Sequence, residues 1–368
     1  MKRYFFLMLC MTCLTVTQAQ LKIPNNDVNY SSSIARKLGV TEIRIDYNAP
    51  GVKGREGKIW GTDIAPYGFQ VLGYGSDMPS PWRAGANECT TIHFSTDVLI
   101  NGKKLPAGKY AFFVALYPDS CTLIFNRNTE SWGAYFYNKD LDALHVGTIQ
   151  QKDRPVSVER LTYSFGSQTK NKVEVALEWE KWRIPFTVEI DFMQTTLSSI
   201  RTQLTSELGF DPPSLEAGAN WCLQNNVNYE EALGWIKRAT DPSLGAVQSF
   251  RALSTKAGLL EKLGRKAEAD QTMTTALEFG SAVELHQYGR QLLAQQKSAE
   301  AMKVFELNWK KYKGAWPTNV GMMRGYSAMG NYKKALEHAK LALAQAPDDQ
   351  NKKSLEAAIK TLSEGKAL

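Results

Sequence analysis

Histidine and cysteine are scarce in this chain, four and five residues among 368. His93, His145, His286 and His338 stand far apart, and Cys89, Cys121 and Cys222 share no metal-ligand spacing. A zinc site built from a local motif is excluded, and neither metal nor cofactor is expected. Long apolar runs are missing beyond the N-terminus, which excludes a polytopic membrane protein and leaves no transmembrane span in the mature chain. A block of one charge is missing too. Residues 20–190 carry 20 basic and 18 acidic side chains and residues 191–368 carry 22 and 19, so the formal charge of +7 is spread thinly. Nucleic-acid binders concentrate positive charge on a face or stripe, and no nucleic-acid partner is expected.

The usual catalytic signatures are absent as well. Gly73-Tyr74-Gly75-Ser76-Asp77-Met78 begins like a dinucleotide fingerprint but has Met78 where the third glycine belongs. Gly57-Lys58 has Val52 at the upstream glycine position and Ile59 in place of Ser or Thr, which rules out a phosphate-binding loop. There is no Gly-x-Ser-x-Gly elbow and no His-Glu-x-x-His. No catalytic residue is assigned, and the chain reads as a binding protein before an enzyme.

What is present begins with Met1-Lys2-Arg3, an apolar stretch from Tyr4 to Val16, and Thr17-Gln18-Ala19 before Gln20. A basic head, an apolar middle and small residues before the cut describe a secretory signal peptide over residues 1–19. Export to the periplasm or beyond is expected, with cleavage near Ala19. Cleavage removes Lys2 and Arg3 and no acid, lowering the formal charge by two from +7 to about +5. It also removes Cys10 and Cys13, leaving three thiols. Cys89 and Cys121 each open a strand of one domain, so a Cys89–Cys121 disulfide is expected, with Cys222 free and buried.

Residues 20–191 read as strands. Thr41-Glu42-Ile43-Arg44-Ile45-Asp46-Tyr47 alternates with a period of two, as do Thr90 to Ser95, Tyr110 to Tyr117, Cys121 to Asn126, Leu144 to Gln150, Val156 to Phe165, Val173 to Trp179, and Ile184 to Ile190. Asn101-Gly102 is a tight hairpin signal, and Pro106-Ala107-Gly108 a second turn. Short strands punctuated in this way predict an antiparallel β-sandwich or barrel. After Asp191 the period becomes helical. Leu197, Ile200, Leu204 and Leu208 share a face, with Gly209 as C-cap and Pro212-Pro213 as the stop, which makes 192–213 a connecting helix and linker.

Residues 214–350 contain a repeat. Ala232, Ala269, Ala301 and Ala335 each follow a helix and turn, at separations of 37, 32 and 34 residues. Twelve residues before them stand Asn220, Ala257, Gly289 and Met323; seven after stand Ala239, Ala276, Asn308 and Ala342. This pattern resembles degenerate tetratricopeptide repeats, with Met323 oversized for its place and Pro347 the only closing proline. Leu355, Ala358, Ile359 and Leu362 mark a capping helix over residues 351–368. The resemblance implies a protein or peptide partner on the concave face.

The β half has a resemblance of its own, carried by Val52-Lys53-Gly54-Arg55-Glu56 with Ile59-Trp60-Gly61, Pro81-Trp82-Arg83-Ala84-Gly85-Ala86-Asn87-Glu88, Gly102 to Tyr110, and Leu123-Ile124-Phe125-Asn126 with Trp132-Gly133-Ala134-Tyr135. It resembles a bacterial family known as domain of unknown function 2911, which implies export in Bacteroidetes-type bacteria and no known reaction. Phe69 to Ser80 look like extra residues against that pattern.

The candidate ligand site is Trp82, Arg83, Asn87 and Glu88, with Arg55 and Trp60 as additions. Arginine offers a planar fork, tryptophan a flat face, and Asn and Glu hydrogen-bonding capacity, which together suit a glycan or peptide. The structural alternative is an Arg83–Glu88 pair pinning a loop while Trp82 plugs the core. The expected function is an exported, non-enzymatic adaptor. The competing reading is an envelope carbohydrate- or peptidoglycan-acting hydrolase or lyase, using Glu88 and a second carboxylate such as Asp77.

Overall fold

The computed structural model describes residues 29–368, and the expected signal segment with Cys10 and Cys13 lies outside them. The chain divides into two compact units, one ending at Thr196 and the other spanning Leu197–Leu368.

The first unit contains two antiparallel sheets that do not close into a barrel. One has the order β1 (Tyr30–Leu38), β2 (Thr41–Ala49), β3 (Thr90–Phe94), β6 (Gly108–Leu116), β7 (Cys121–Asn126) and β8 (Asp142–Thr148). The other runs β5 (Lys103–Leu105), β4 (Val98–Ile100), β11 (Trp182–Glu189), β10 (Lys172–Glu180) and β9 (Val158–Gln168). Alternation decides the packing: along β2 every second residue from Thr41 to Ala49 is buried. Ile45, Phe94 and Phe112 from the first sheet meet Tyr163 and Phe186 from the second, and Phe112 lies 5.7 Å from the Phe186 ring. Asn101 and Gly102 both have positive φ and close the β4–β5 hairpin as their sequence requires.

The second unit is a run of helix pairs: α2 (Pro212–Asn225) with α3 (Tyr229–Ala239), α4 (Phe250–Lys262) with α5 (Lys266–Phe279), α6 (Ala282–Ala294) with α7 (Ser298–Lys311), and α8 (Trp316–Ala328) with α9 (Tyr332–Ala344). α10 (Asp349–Ser363) follows and packs on α9. The four aligned alanines are all buried, as are Ala239, Ala257, Ala276, Asn308 and Ala342. The spacing therefore marks helix crossings. Met323 is buried as well, and the close approach on α8 is made beside it. A Cβ on Gly289, Gly321 or Gly325 would come within 2.3, 2.7 or 2.9 Å of the Phe305 ring, so three glycines form the socket for a fully buried phenylalanine.

α1 (Phe192–Gln203) ends before Leu204, and Gly209 lies in a short 3₁₀ turn over Glu207–Phe210. Pro212 and Pro213 open α2 where they were expected to stop the preceding helix. Proline suits that place because the first turn has no use for its missing N–H, and Asp211 caps it by accepting from the Ser214 N–H at 2.9 Å.

Candidate functional site

The six candidate residues of the β unit do not converge on one surface. Trp82 is 5% exposed and exchanges two backbone hydrogen bonds with Val114, which fixes its indole in the core. It stacks near Trp179, with ring centroids 6.2 Å apart, and meets the Trp60 edge at 5.6 Å. Trp60 stacks on Trp182 at 4.5 Å and donates its Nε1–H to Glu180 Oε2 at 3.0 Å. Sequence reasoning missed Glu180. It sits in the two-residue β10–β11 turn with φ +50°, almost wholly buried, and its other oxygen accepts from the Gly57 N–H at 3.1 Å. The four tryptophans and this carboxylate form a structural plug. Trp82 is a buried core residue, and Trp60, partly buried, packs against it.

Arg55 is consumed locally, donating from Nε to the Val52 carbonyl and from Nη2 to the Gly51 carbonyl, which holds its own turn together. Arg83 donates from Nη1 to the Asn87 carbonyl at 2.8 Å, and its guanidinium lies 4.9 Å from the Tyr135 ring centroid. Gly133, at φ +58°, makes room for it, since a Cβ there would lie 2.3 Å from the guanidinium. Glu88 is exposed and accepts from Asn48 Nδ2 at 2.7 Å. The expected Arg83–Glu88 pair is therefore not formed, and Glu88 ties its loop to β2. A carboxylic acid acting on a glycosidic bond needs an apolar pocket around it, and Glu88 is turned to solvent. The hydrolase reading draws no support from this setting.

The cysteines require a second correction, because Cys89, Cys121 and Cys222 are all free and buried. Thr90 pairs with Phe112 and Cys121 with Leu116, which sets the two thiols roughly 10 Å apart along β6 alone and on opposite sides of it. They also occupy opposite faces of the sheet. Cys89 packs with Phe113 and Ile124 in an outer cluster, whereas Cys121 packs with Leu123 between the sheets. No disulfide can span that arrangement. Burial pushes the Cys121 thiol up to about 12 and the Cys222 thiol up to about 11, so both stay protonated.

A polar cluster that sequence reasoning overlooked lies where β7 meets β8. Asp142 Oδ2 accepts from the Tyr137 hydroxyl at 2.5 Å and lies 2.6 Å from His145 Nε2, while Oδ1 accepts from Asn126 Nδ2 at 2.7 Å. Burial, reinforced by Asp142, raises the Tyr137 phenol well above its ordinary range. No local motif announces this cluster, because an irregularity between Phe125 and Asn126 brings its members together across strands. It orients a partly exposed imidazole and locks the 137–142 segment to the sheet. On the segments 69–80 and 131–137, Tyr74, Met78, Trp132 and Phe136 are exposed. Ser76 anchors the first segment to the second, its N–H donating to the Tyr135 carbonyl at 2.9 Å. Among the described residues no group of three His, Cys, Asp or Glu could hold a metal, and no helix is long and apolar enough to cross a membrane.

The larger opening lies in the helical unit. A cavity of about 980 Å³ is bounded by the first helices of successive pairs, α2, α4 and α6, with part of its wall from α5 and α7. Asn220, Gln224, Gln287, Gln291 and Gln295 line it together with Tyr288 and with the charged Arg251, Glu261, Lys266, Asp270, Glu284, Lys297 and Glu300. Side-chain amides donate and accept at once, so this wall can pair with both polar groups of a peptide backbone. Burial, the largest influence, raises the Tyr288 phenol, with Glu300, Glu261 and Asp270 adding to it.

Residues 30–188 match the family described as "Protein of unknown function (DUF2911)". Among solved structures the chain is similar to "MamA 41-end from Desulfovibrio magneticus RS-1", at 19% identity over 42% of this chain and 91% of that one, with a TM-score of 0.27. No curated protein matches the chain.

Proposed function

We propose that this chain is an exported adaptor whose helical unit binds an extended segment of another protein along its inner helices. The observation that carries this reading is the cavity of about 980 Å³ on α2, α4 and α6, where five side-chain amides stand among charged residues of both signs. Its size accommodates several residues of an extended chain, its amides can pair with main-chain groups, and charges of both signs on its wall can pair with side chains of such a segment. Selection of a phage-displayed library of random 12-residue peptides on the full chain tests it. Binders should emerge that lose at least tenfold in affinity against Gln287→Ala/Gln291→Ala, while the melting temperature of that variant stays unchanged. A selection that yields no binder sensitive to those two changes overturns the reading.

The same proposal puts a glycan or peptide surface of the β unit on the exposed rings of Tyr74, Trp132 and Phe136 rather than on the buried Trp82. A glycan array probed with wild type and Trp132→Ala reads that part separately. Export rests on the basic head and apolar stretch of residues 1–19. Mass spectrometry of protein from its own host should find a mature N-terminus near Gln20, and an intact Met1 would remove export from the proposal.

A further inference from the structure

A second cavity, of about 440 Å³, lies among α6, α8 and α10. Arg290, Trp316 and Arg324 stand on its wall with His286, and the rest of that wall includes Val320, Met323 and Leu355. No side-chain carboxylate is among the lining residues, which also include Ala367 and Leu368 at the end of the sequence, and Leu368 donates its N–H to Ser327 Oγ at 3.0 Å. Two features set this place apart from an ordinary basic surface. Arg324 Nε and Trp316 Nε1 are both buried without a hydrogen-bond partner, and no ion pair is formed by Arg290 or Arg324 among the described residues. Buried donors are nearly always paired in folded proteins, so two orphaned N–H groups on residues that line the same cavity call for an acceptor close by.

The chemistry of the lining narrows that acceptor. An indole N–H and a guanidinium only donate, so the missing group must accept from both. A guanidinium presents a planar fork that matches a carboxylate in two parallel hydrogen bonds. Burial, with Arg290 nearby, lowers the Arg324 guanidinium from its ordinary value, and burial with the same two arginines holds His286 down at about 4, so the histidine adds no charge of its own at neutral pH. Val320, Met323, Leu355 and Ala358 supply an apolar floor. We infer that this cavity is a binding site for a carboxylate attached to an apolar body, held by Arg290, Arg324 and the Trp316 indole. α6 contributes to both cavities, but this site stands on its own residues and does not need the peptide reading of the first one.

The test follows the Trp316 indole N–H in the amide and indole NMR spectrum of the full chain, assigned by its loss in Trp316→Phe. Four probes are titrated: sodium hexanoate, hexanamide, N-acetyl-Ala-Ala-Leu with a free carboxylate, and the same peptide as its C-terminal amide. Both carboxylates should move the indole resonance and both amides should leave it in place. Tighter binding of the peptide acid assigns the carboxylate to a chain terminus, and tighter binding of hexanoate assigns it to a free organic acid. Arg324→Gln should weaken the response at least tenfold while Arg324→Lys keeps part of it. If Arg324→Gln does not fold, Arg290→Gln, at an exposed position, makes the same measurement. An indole unmoved by either carboxylate, moved equally by the amides, or still responsive in the glutamine variant overturns the proposal. The Gln287→Ala/Gln291→Ala variant should respond like wild type, which separates failure here from failure at the first cavity.

Discussion

In the β unit, polar side chains that the loops turn inward end on partners: Glu180 on Gly57 and Trp60, Arg55 on Val52 and Gly51, Arg83 on Asn87, and Asp142 on Tyr137, Asn126 and His145. Trp179 Nε1 is the orphan there among the described residues. In the helical unit His286, Asn308, Trp316 and Arg324 each keep a buried polar atom without a partner, and three of these four residues line one cavity. A half-satisfied buried network is destabilising unless something else completes it. The contrast therefore teaches where to look for a ligand. Sequence chemistry pointed at the tryptophan-rich loops of the sandwich, while the unmet hydrogen-bonding capacity sits between helices.

The contrast is broken most severely through the cores. Phe305→Ala should cost about 3–5 kcal/mol, because the ring fills a socket that three glycines cannot close around a smaller residue. Gly289→Ala should cost about 1–3 kcal/mol by overpacking the same socket. Native-state hydrogen exchange localises both: protection should fall across α6, α7 and α8 and stay unchanged in β6 and β10. Loss of protection in the strands would show that the two units do not unfold independently.

Glu180→Ala is the counterpart in the β unit. It leaves the Gly57 N–H and the Trp60 indole without their acceptor, at roughly 1–3 kcal/mol for each buried donor. A gain of about 1 kcal/mol from relieving the left-handed backbone at residue 180 offsets this only with glycine, so Glu180→Gly should be the milder of the two. Exchange in β10 and β11 measures it, and equal destabilisation by both variants would assign the loss to the hydrogen bonds alone.

Acid separates the units by window. His286 is held down at about 4 by burial first and by Arg324 and Arg290 next, so the unfolded chain binds a proton there that the folded one does not. Its contribution is present above about 6.5 and is lost as pH falls from there towards 4, amounting to at most about 3 kcal/mol. Glu178 in the β unit is shifted the other way relative to its charged form. Burial raises it, but the Ser164 and Arg154 hydrogen bonds and the Arg154 and Arg183 charges together leave it lowered. Its contribution therefore persists until pH falls below the ordinary carboxylate range. The helical unit should lose stability first on acidification, and His286→Gln should flatten that early loss. An early loss confined to the strands would contradict the assignment.

Much of this fold was legible because it depends on short-range periodicity. The alternation in β2, the Asn101-Gly102 turn and the alanine spacing each reflect a local geometric need that the residue types record directly. β1 escaped notice because it is mostly exposed, so its Ser31-Ser32-Ser33 run carries no apolar alternation. Pro212-Pro213 misled because the same residue that forbids continuing a helix is favoured at the start of the next. The site was less legible for a different reason. Whether Cys89 can reach Cys121 depends on sheet face and register, and whether Arg324 has a partner depends on three helices far apart in sequence. Residue type announces capacity for an interaction, and only the packing decides whether that capacity is already spent.

The smallest effect sharpens the comparison from the other side. Glu88 was a leading candidate by residue type, yet it lies in solvent with Asn48 as its partner. An exposed hydrogen bond exchanges protein for water with little net change, so Glu88→Ala should alter stability by no more than about 0.5 kcal/mol. It should also leave both cavities of the helical unit untouched, with peptide selection and the Trp316 indole response at wild-type values. Chemical denaturation and the two binding assays measure this on one variant. A loss of several kcal/mol would mean that the 83–88 loop carries the sandwich edge. A loss of binding with stability intact would instead return the functional surface to the β unit, reversing the contrast between satisfied and unsatisfied polarity on which the helical site rests.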